Sequence, residues 1–500
     1  MIILKNIRIK YYTALLMGVC SIALSGCSNG TASYDGFERK VAAKSSLTSV
    51  DSVLDSQSYE SEVAKYEETV MTFSSDDGLC VIEKKPSYYD ITLDYTKGDY
   101  YAVGSAYAET IKKIDVEFAG VLEPYLYENV KMAFPNLNED YTPVLDRINI
   151  LLTQIPEEYR NEMEGFAKTI SDGKTGMEND GILSYEEALL MNMVPDTLRG
   201  TNCNALSVWG EKTASGERII SRTLEWTLGS ENQMCSAHAV THFKMPEGKK
   251  SYTSFSVLGM LDMLTGINES GVFVGILDVG SEDNYVCEGK KCYTYELRYA
   301  LENMDDARSV GEYMVSESKN FTFSHNVFIN DKENTFVAED CAVNLEDEAT
   351  RQSYIEGLEL DAKDENIEDI LREYGGYSVL RDVNTPLIDG IKWDNPDSLA
   401  VVNSFMTEGN RDYLTGVGNN LIRFSKFNAW VGEKDRLTLA DVKSIVTRET
   451  MDNNAKFQKI HSDNVFQTII YDYGTGEMDI TFTGTEGVQN HPEFVRVNID

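Results

Sequence analysis

The chain has 500 residues, 42% of them hydrophobic, and sets 45 Lys and Arg against 82 Asp and Glu for a formal net charge of −37. That composition builds a core rather than a disordered chain, and its excess of acid turns nucleic acid and anionic lipid away as main surface partners. With 10 Pro and 36 Gly it is not fibrous, and no apolar run beyond the N-terminus is long enough to span a bilayer.

Lys5, Arg8 and Lys10 precede an apolar run from Thr13 to Leu24, which reads as the charged and apolar regions of an export signal and is too short to span. The run ends in Leu24-Ser25-Gly26-Cys27, which resembles a bacterial lipoprotein box. The resemblance implies removal of residues 1–26, acylation of Cys27, and a lipid-anchored protein of the bacterial cell envelope facing outside the cytoplasmic membrane. Removing that signal takes away basic groups and no acidic ones, so the anchored chain is more acidic still. Residues 27–85 are expected to form a tether, since 28–57 is Ser-rich, poor in large apolar residues and without clear periodicity.

Residues 86–202 read as mainly helical. From Gly98 to Phe134 apolar residues recur every three to four positions, which predicts one or two amphipathic helices, and a further helix is expected over Pro143–Leu152 with Thr142 as its cap. The stretch 172–191 hints at a calcium loop, with Gly181 at the sharp turn and Glu187 as last ligand. Gly176 would then be the first ligand and has no side-chain oxygen. Ser184-x-x-Glu187 reads instead as a capping box for a helix over 185–193, ended by Val194-Pro195.

From Asn202 the pattern changes to short strand-like runs at Leu206–Trp209, Arg218–Trp226, His238–Phe243, Gly271–Leu277, Asn326–Ile329, Thr335–Ala338, Leu399–Val402, Thr468–Tyr473 and Glu477–Phe482. Helical periods sit at 294–316 and 438–448, so the body is expected to be layered α+β. His238 and His242 stand four apart, as in a helical zinc site, but there is no HExxH and the surrounding residues alternate like a strand, so no metal or cofactor is expected. Six cysteines remain after Cys20 and Cys27, and Cys287-x4-Cys292 has the spacing of a small disulfide loop. GxSxG, P-loop and GxGxxG motifs are all missing.

The chemistry concentrates in one constellation. Thr201-Asn202-Cys203-Asn204 opens a hairpin whose return strand carries Arg222-Thr223-Leu224-Glu225-Trp226; downstream come Thr265-Gly266-Ile267-Asn268-Glu269, Val401-Val402-Asn403, and Arg423-Phe424, and upstream Gly98-x5-Gly104. In this order the motifs resemble the N-terminal-nucleophile hydrolases of the acid ceramidase, choloylglycine hydrolase and penicillin acyltransferase group, especially its C45 peptidase branch, over about residues 98 to 485. The resemblance implies a four-layer αββα sandwich, with 86–202 as a helical processed segment and 203–500 as the catalytic unit.

It also implies roles. The Asn202–Cys203 bond is cleaved by the chain itself, giving Cys203 a free α-amine beside its thiol. With reference pKa values of about 8 and about 8.5, the amine can take the thiol proton and later give it to the leaving amine. Arg222 would orient the thiolate, Glu225 would bind the α-amine, Asn268 and Asn403 would donate to the oxyanion, and Arg423 would complete the polar network. The substrate implied is a small N-acyl amide, cleaved through a Cys203 thioester, with water or an amine as second acceptor. Ser221, Thr223, Glu225 and Asn204 depart from the family's Gly, Asn, Asp and Thr or Ser. A silent binding or sensing lipoprotein of the same fold therefore stands as an alternative, and a bile-salt or lactam amidase as a third.

Overall fold

Many strands of this chain are buried on both faces. Every residue of Ile219–Trp226, Tyr252–Val257, Phe273–Asp278, His325–Asn330, Thr335–Asp340 and Val465–Asp472 is buried, which requires a layer on each side. The computed structural model describes residues 56–57 and 63–499, apart from 115–117, 139, 199–200, 280–284, 317–320, 343–344, 346–347, 358–359, 361, 364–365, 373–377, 411–418 and 451–458. The export signal, Cys27 and most of the expected tether lie outside the described residues.

The strands are β1 (Ser56–Gln57), β2 (Lys65–Tyr66), β3 (Met71–Ser74), β4 (Cys80–Lys84), β5 (Tyr89–Asp94), β6 (Thr201–Val208), β7 (Ile219–Trp226), β8 (His238–Lys244), β9 (Tyr252–Val257), β10 (Thr265–Asn268), β11 (Phe273–Asp278), β12 (His325–Asn330), β13 (Thr335–Asp340), β14 (Ser378–Arg381), β15 (Ser398–Val402), β16 (Glu449–Thr450), β17 (Val465–Asp472), β18 (Glu477–Phe482) and β19 (Val495–Val497). One sheet runs β15-β6-β7-β17-β18-β19-β2 and a larger one β14-β13-β12-β11-β10-β9-β8-β5-β4-β3. The helices are α1 (Tyr100–Lys113), α2 (Phe118–Ala133), α3 (Thr142–Leu152), α4 (Glu157–Ile170), α5 (Tyr185–Met191), α6 (Val194–Thr197), α7 (Tyr293–Asn303), α8 (Ala307–Ser316), α9 (Glu348–Gly357), α10 (Ile367–Arg372), α11 (Asn419–Gly432) and α12 (Leu439–Val446). The body is thus mixed α+β around two large sheets.

The sheets face one another. Ser207 Oγ on β6 lies 2.8 Å from Thr335 Oγ1 on β13, and Gln467 Nε2 on β17 donates to the Phe255 carbonyl on β9 at 3.1 Å. Helices α1 and α8 pack on the larger sheet, against β4–β5 and β12–β14, while α11 and α12 pack on the smaller, against β15 and β7 with β17.

The segment before Cys203 is built into this body. Its strand β5 pairs in parallel with β8 across six residue pairs, from Tyr89↔Ala239 to Asp94↔Lys244. Arg298 on α7 and Glu162 on α4, both fully buried, form an ion pair. Helices α1 and α4 cross closely because Gly104 and Gly165 have no side chains: a Cβ at Gly104 would sit 2.1 Å from the Glu162 carbonyl oxygen, and one at Gly165 2.2 Å from that of Tyr101. Gly104 therefore lies inside α1, whose cap is Asp99, accepting from the Ala102 N–H at 2.9 Å.

Three sequence expectations change, and the pairing of Cys287 with Cys292, which their spacing left open, is decided. The tether expected to reach 85 ends earlier, because Cys80 and Ile82 of β4 are completely buried and β2, β3 and β4 are strands of the two sheets. Thr142 is the first residue of α3 and not its cap; Tyr141 holds that position without a side-chain hydrogen bond. The helix over 185–193 ends at Met191, and Val194-Pro195 starts α6 instead of merely ending its predecessor, since proline suits the first turn. Cys287 and Cys292 are buried free thiols rather than a disulfide. The capping box at Ser184 and Glu187 is present, with both reciprocal bonds formed.

Asp196 on α6 is a titratable clamp. Its fully buried carboxylate accepts from the Tyr293 N–H at 2.8 Å, Thr294 Oγ1 at 2.6 Å and Thr322 Oγ1 at 3.1 Å. Burial, opposed by these donors, pushes its pKa up to about 7 from the usual carboxylate value of 3.8. A raised carboxylate pKa means that the folded state holds the proton more tightly, so the contribution is fully present below the unfolded pKa and is lost as pH rises through about 7. Each unit of that shift is worth about 1.4 kcal/mol. Urea unfolding at pH 5 and pH 8 should therefore show a loss of stability in the wild type that is smaller in Asp196→Asn; an equal loss in both would refute the assignment.

Candidate active site

Strand β6 places Cys203 one strand in from the β15 edge of the smaller sheet, paired with Leu224 of β7, while Asn202 pairs with Glu225. Cys203 is fully buried. Burial raises its thiol to about 11, against the pull of the Arg222 guanidinium and a hydrogen bond from the Glu225 backbone N–H. Alternation along β7 brings Arg222, beside Ala205 in register, to the face turned toward the larger sheet. There its Nη2 donates to Cys203 Sγ at 3.3 Å and to the Ile276 carbonyl at 2.7 Å.

Two further Arg222 donors, Nε and Nη1, are buried and find no acceptor. An unanswered buried donor typically costs about 1–3 kcal/mol, a cost that a thiolate or a substrate oxygen at this place would offset. Gly275 on β11 makes the room: a Cβ there would lie 2.8 Å from Arg222 Cγ and 3.1 Å from its Nε. Gly275→Ala should displace the guanidinium and cut turnover by about tenfold or more with a small change in melting temperature; unchanged turnover would show that the approach is not needed.

The backbone N–H of Cys203, the atom that becomes the α-amine if the bond before it is cut, donates to Asn403 Oδ1 at 2.5 Å. Asn403 Nδ2 donates to the Asp278 carbonyl at 2.6 Å, and Arg423 Nη1 reaches Asn403 Oδ1 at 3.5 Å. In the uncut chain Glu225 is engaged elsewhere: one carboxylate oxygen pairs with Arg423 Nη2 and the other accepts from Ser462 Oγ. The extra methylene of Glu over Asp carries the charge across to Arg423, leaving the amide oxygen of Asn403 as the acceptor for the Cys203 nitrogen.

Asn268 is not an oxyanion donor in this arrangement. Its Nδ2 donates to the Leu301 and Met304 carbonyls at the end of α7, at 3.0 Å each, and its Oδ1 accepts from the Ser270 and Val272 N–H groups. Both amide protons serve the helix C-terminus and the oxygen serves the turn. The structure thus brings together Cys203, Arg222, Glu225, Asn403 and Arg423, and leaves Asn268 in a structural role.

Sequence reading missed Asp278 and Tyr293. Asp278, buried at the end of β11, acts electrostatically on both Cys203 and Arg222 and receives the Tyr293 hydroxyl at 2.9 Å. Tyr293 OH also lies 3.1 Å from the Pro195 carbonyl, linking the segment before Cys203 to the site. Gly275 had a legible signal, since a glycine within a buried strand marks close approach; Asp278 and Tyr293 belong to no motif.

No group of His, Cys, Asp and Glu among the described residues could hold a metal ion, and none of their helices is long and apolar enough to cross a membrane. His238 and His242 both lie in strand β8.

No protein-family model and no curated protein matches the sequence. Among solved structures the chain is similar to an N-acylethanolamine-hydrolyzing acid amidase ortholog of Caenorhabditis elegans, at 10% identity over 54% of this chain and 92% of that one, with a TM-score of 0.32. It is similar also to a variant of the conjugated bile acid hydrolase of Clostridium perfringens (11%, 59% and 97%, TM-score 0.29) and to the penicillin V acylase of Agrobacterium tumefaciens (10%, 56% and 83%, TM-score 0.27).

Proposed function

We propose that this protein is a self-processing amide hydrolase or acyltransferase of the N-terminal-nucleophile type, with Cys203 as nucleophile. One observation carries the reading: the Cys203 thiol lies 3.3 Å from the buried guanidinium of Arg222, and its backbone nitrogen lies 2.5 Å from Asn403 Oδ1. After a cut between Asn202 and Cys203, the amine so released takes the thiol proton. The thiolate adds to the carbonyl of a linear N-acyl amide, the C–N bond breaks as the leaving amine receives that proton, and water or another amine then resolves the thioester. Arg222 stabilises the thiolate and Asn403 holds the amine, while the Glu225–Arg423 pair fixes Arg423 beside Asn403.

In this reading, residues 86–202 are the processed segment and 203–500 the catalytic unit of a four-layer αββα sandwich, a layer order supported by the two facing sheets and the helices packed on each. Acylation at Cys27 would hold the enzyme to the outer side of the cytoplasmic membrane. Complete burial of Cys203 suits an uncut precursor. Intact mass and N-terminal sequencing of the exported protein test the proposal: two chains divided before Cys203, with amidase activity, support it, and an intact active chain overturns it.

Engagement of Glu225 by Arg423 and Ser462 favours a second reading, a binding protein of the same fold that has lost turnover. A thiol-directed acyl probe separates the two, because only the enzyme should show labelling that depends on Cys203.

A further inference from the structure

At the margin of the sandwich, away from Cys203, a cleft of about 310 Å³ opens beside the larger sheet. Glu83 of β4, Lys85 just after it, Asp90 of β5, His242 and Lys244 of β8, and Asn498 after β19 line it. These charges come from different strands, yet the register sets them in rows on one face: Glu83 stands directly opposite Asp90, and Thr92 opposite His242. Carboxylates directly opposite on neighbouring strands repel, and a bound cation would relieve them.

Neighbouring groups answer them in part. Lys85 Nζ bonds Glu83 at 2.8 Å, and His242 Nε2 lies 3.1 Å from Asp90 while its Nδ1 meets Thr253 Oγ1 at 3.0 Å. Lys244, two residues beyond His242 and exposed, has no ion pair among the described residues. One end of the cleft therefore carries the carboxylates of Glu83 and Asp90, each with one basic partner, and the other the ammonium of Lys244, which stands opposite Asp94 in register while the Asp94 carboxylate is taken by Lys97. A ligand that matches both ends carries a cation and an anion together.

The rim says where such a ligand comes from. Val63, Tyr66, Val70 and Met71 are 52–81% exposed and make up half of the eight large apolar side chains exposed among the described residues. They sit on the chain that borders the cleft: Tyr66 pairs with Arg496, two residues before Asn498, and Thr69 bonds both Lys85 and Glu83. Apolar and aromatic side chains beside a polar cleft suit the interface of a bilayer. A chain of net charge −37 is repelled by anionic lipid, which leaves zwitterionic lipid as the surface it can approach.

We propose that this cleft binds a zwitterionic phosphoryl-amine headgroup of the phosphoethanolamine type presented by the membrane, with the ammonium between Glu83 and Asp90 and the phosphate on Lys244, while Val63, Tyr66, Val70 and Met71 enter the interface. This site is independent of chemistry at Cys203. The test is titration of the full chain with O-phosphoethanolamine, and flotation of the same chain with phosphatidylethanolamine vesicles and with phosphatidylglycerol vesicles. O-Phosphoethanolamine should bind at least about tenfold more tightly than ethanolamine or inorganic phosphate, and Lys244→Ala and Glu83→Gln should each weaken it by about tenfold. Flotation with phosphatidylethanolamine should exceed that with phosphatidylglycerol and should fall several-fold when Val63, Tyr66, Val70 and Met71 are all replaced by Ser. Lys244 is exposed, so its variant should fold as the parent does. Absence of saturable O-phosphoethanolamine binding, or binding unchanged in Lys244→Ala, overturns the site; glycine binding as tightly, with flotation indifferent to the cleft and its rim, overturns the membrane as its source.

Discussion

Denatured wild-type protein should give two masses divided before Cys203, and Cys203→Ala should give one and show no amidase activity. The size of the effect follows from the chemistry. The same thiol is required first to cut the bond before it and then to attack substrate, so its removal abolishes both steps rather than slowing one. Under native conditions the two wild-type chains should still migrate as a single particle. Strand β5 of the first chain is hydrogen-bonded along its length to β8 of the second, and the Glu162–Arg298 pair spans the two with both charges fully buried. Breaking one partner of such a pair typically costs about 3–5 kcal/mol, so separation without denaturant is not expected. A wild-type chain that stays whole while hydrolysing amides would eliminate the proposed mechanism, and a Cys203→Ala chain that is still cut would assign the cleavage elsewhere.

How much of this was legible in the sequence differs between residues for physical reasons. The β6–β7 hairpin is local, and its period of two sets Arg222 on the face of Cys203, yet the role of Arg222 beside the thiol came from the family resemblance and not from spacing. Asn403 and Arg423 lie about two hundred residues away and were reached only through motif order. Asn268 sits in a motif too, but its partners are the Leu301 and Met304 carbonyls of a helix that no pattern near Asn268 reveals. For Glu225 the added methylene was visible while its destination, Arg423 and Ser462, was not. Strands β3 and β4 fall in the expected tether because they are short and follow a Ser-rich stretch; β3 is the edge of the larger sheet and β4 lies next to it, paired with β5, which composition alone does not reveal. Helices α4 and α11 carry apolar residues at helical spacing, so their signal is local and present in the sequence.

Replacing Arg222 by Leu should lower kcat by about 10²–10³-fold, the usual effect of removing a preorganised donor from a reacting centre, and should move the pH dependence in a stated direction. Burial already holds the Cys203 thiol near 11, and Arg222 is the leading influence that lowers it. Without the guanidinium the thiolate is harder to form at every pH, so the rising limb of the activity profile should move to more alkaline pH. Arg222→Lys should retain part of the shift because it keeps the charge, yet lose most of the rate because one ammonium cannot meet both Sγ and the Ile276 carbonyl in the fixed geometry of the guanidinium. Leu has about the same bulk near the backbone and carries no unanswered donors, so the variant should fold and remain at least as stable as the parent. Loss of rate with an unmoved pH profile would make Arg222 a packing element. A moved profile with the rate restored at high pH would confine its role to the thiolate, and a rate still depressed at high pH would add stabilisation of the oxyanion, to which Nε and Nη1, both without an acceptor in the uncut chain, are free to donate.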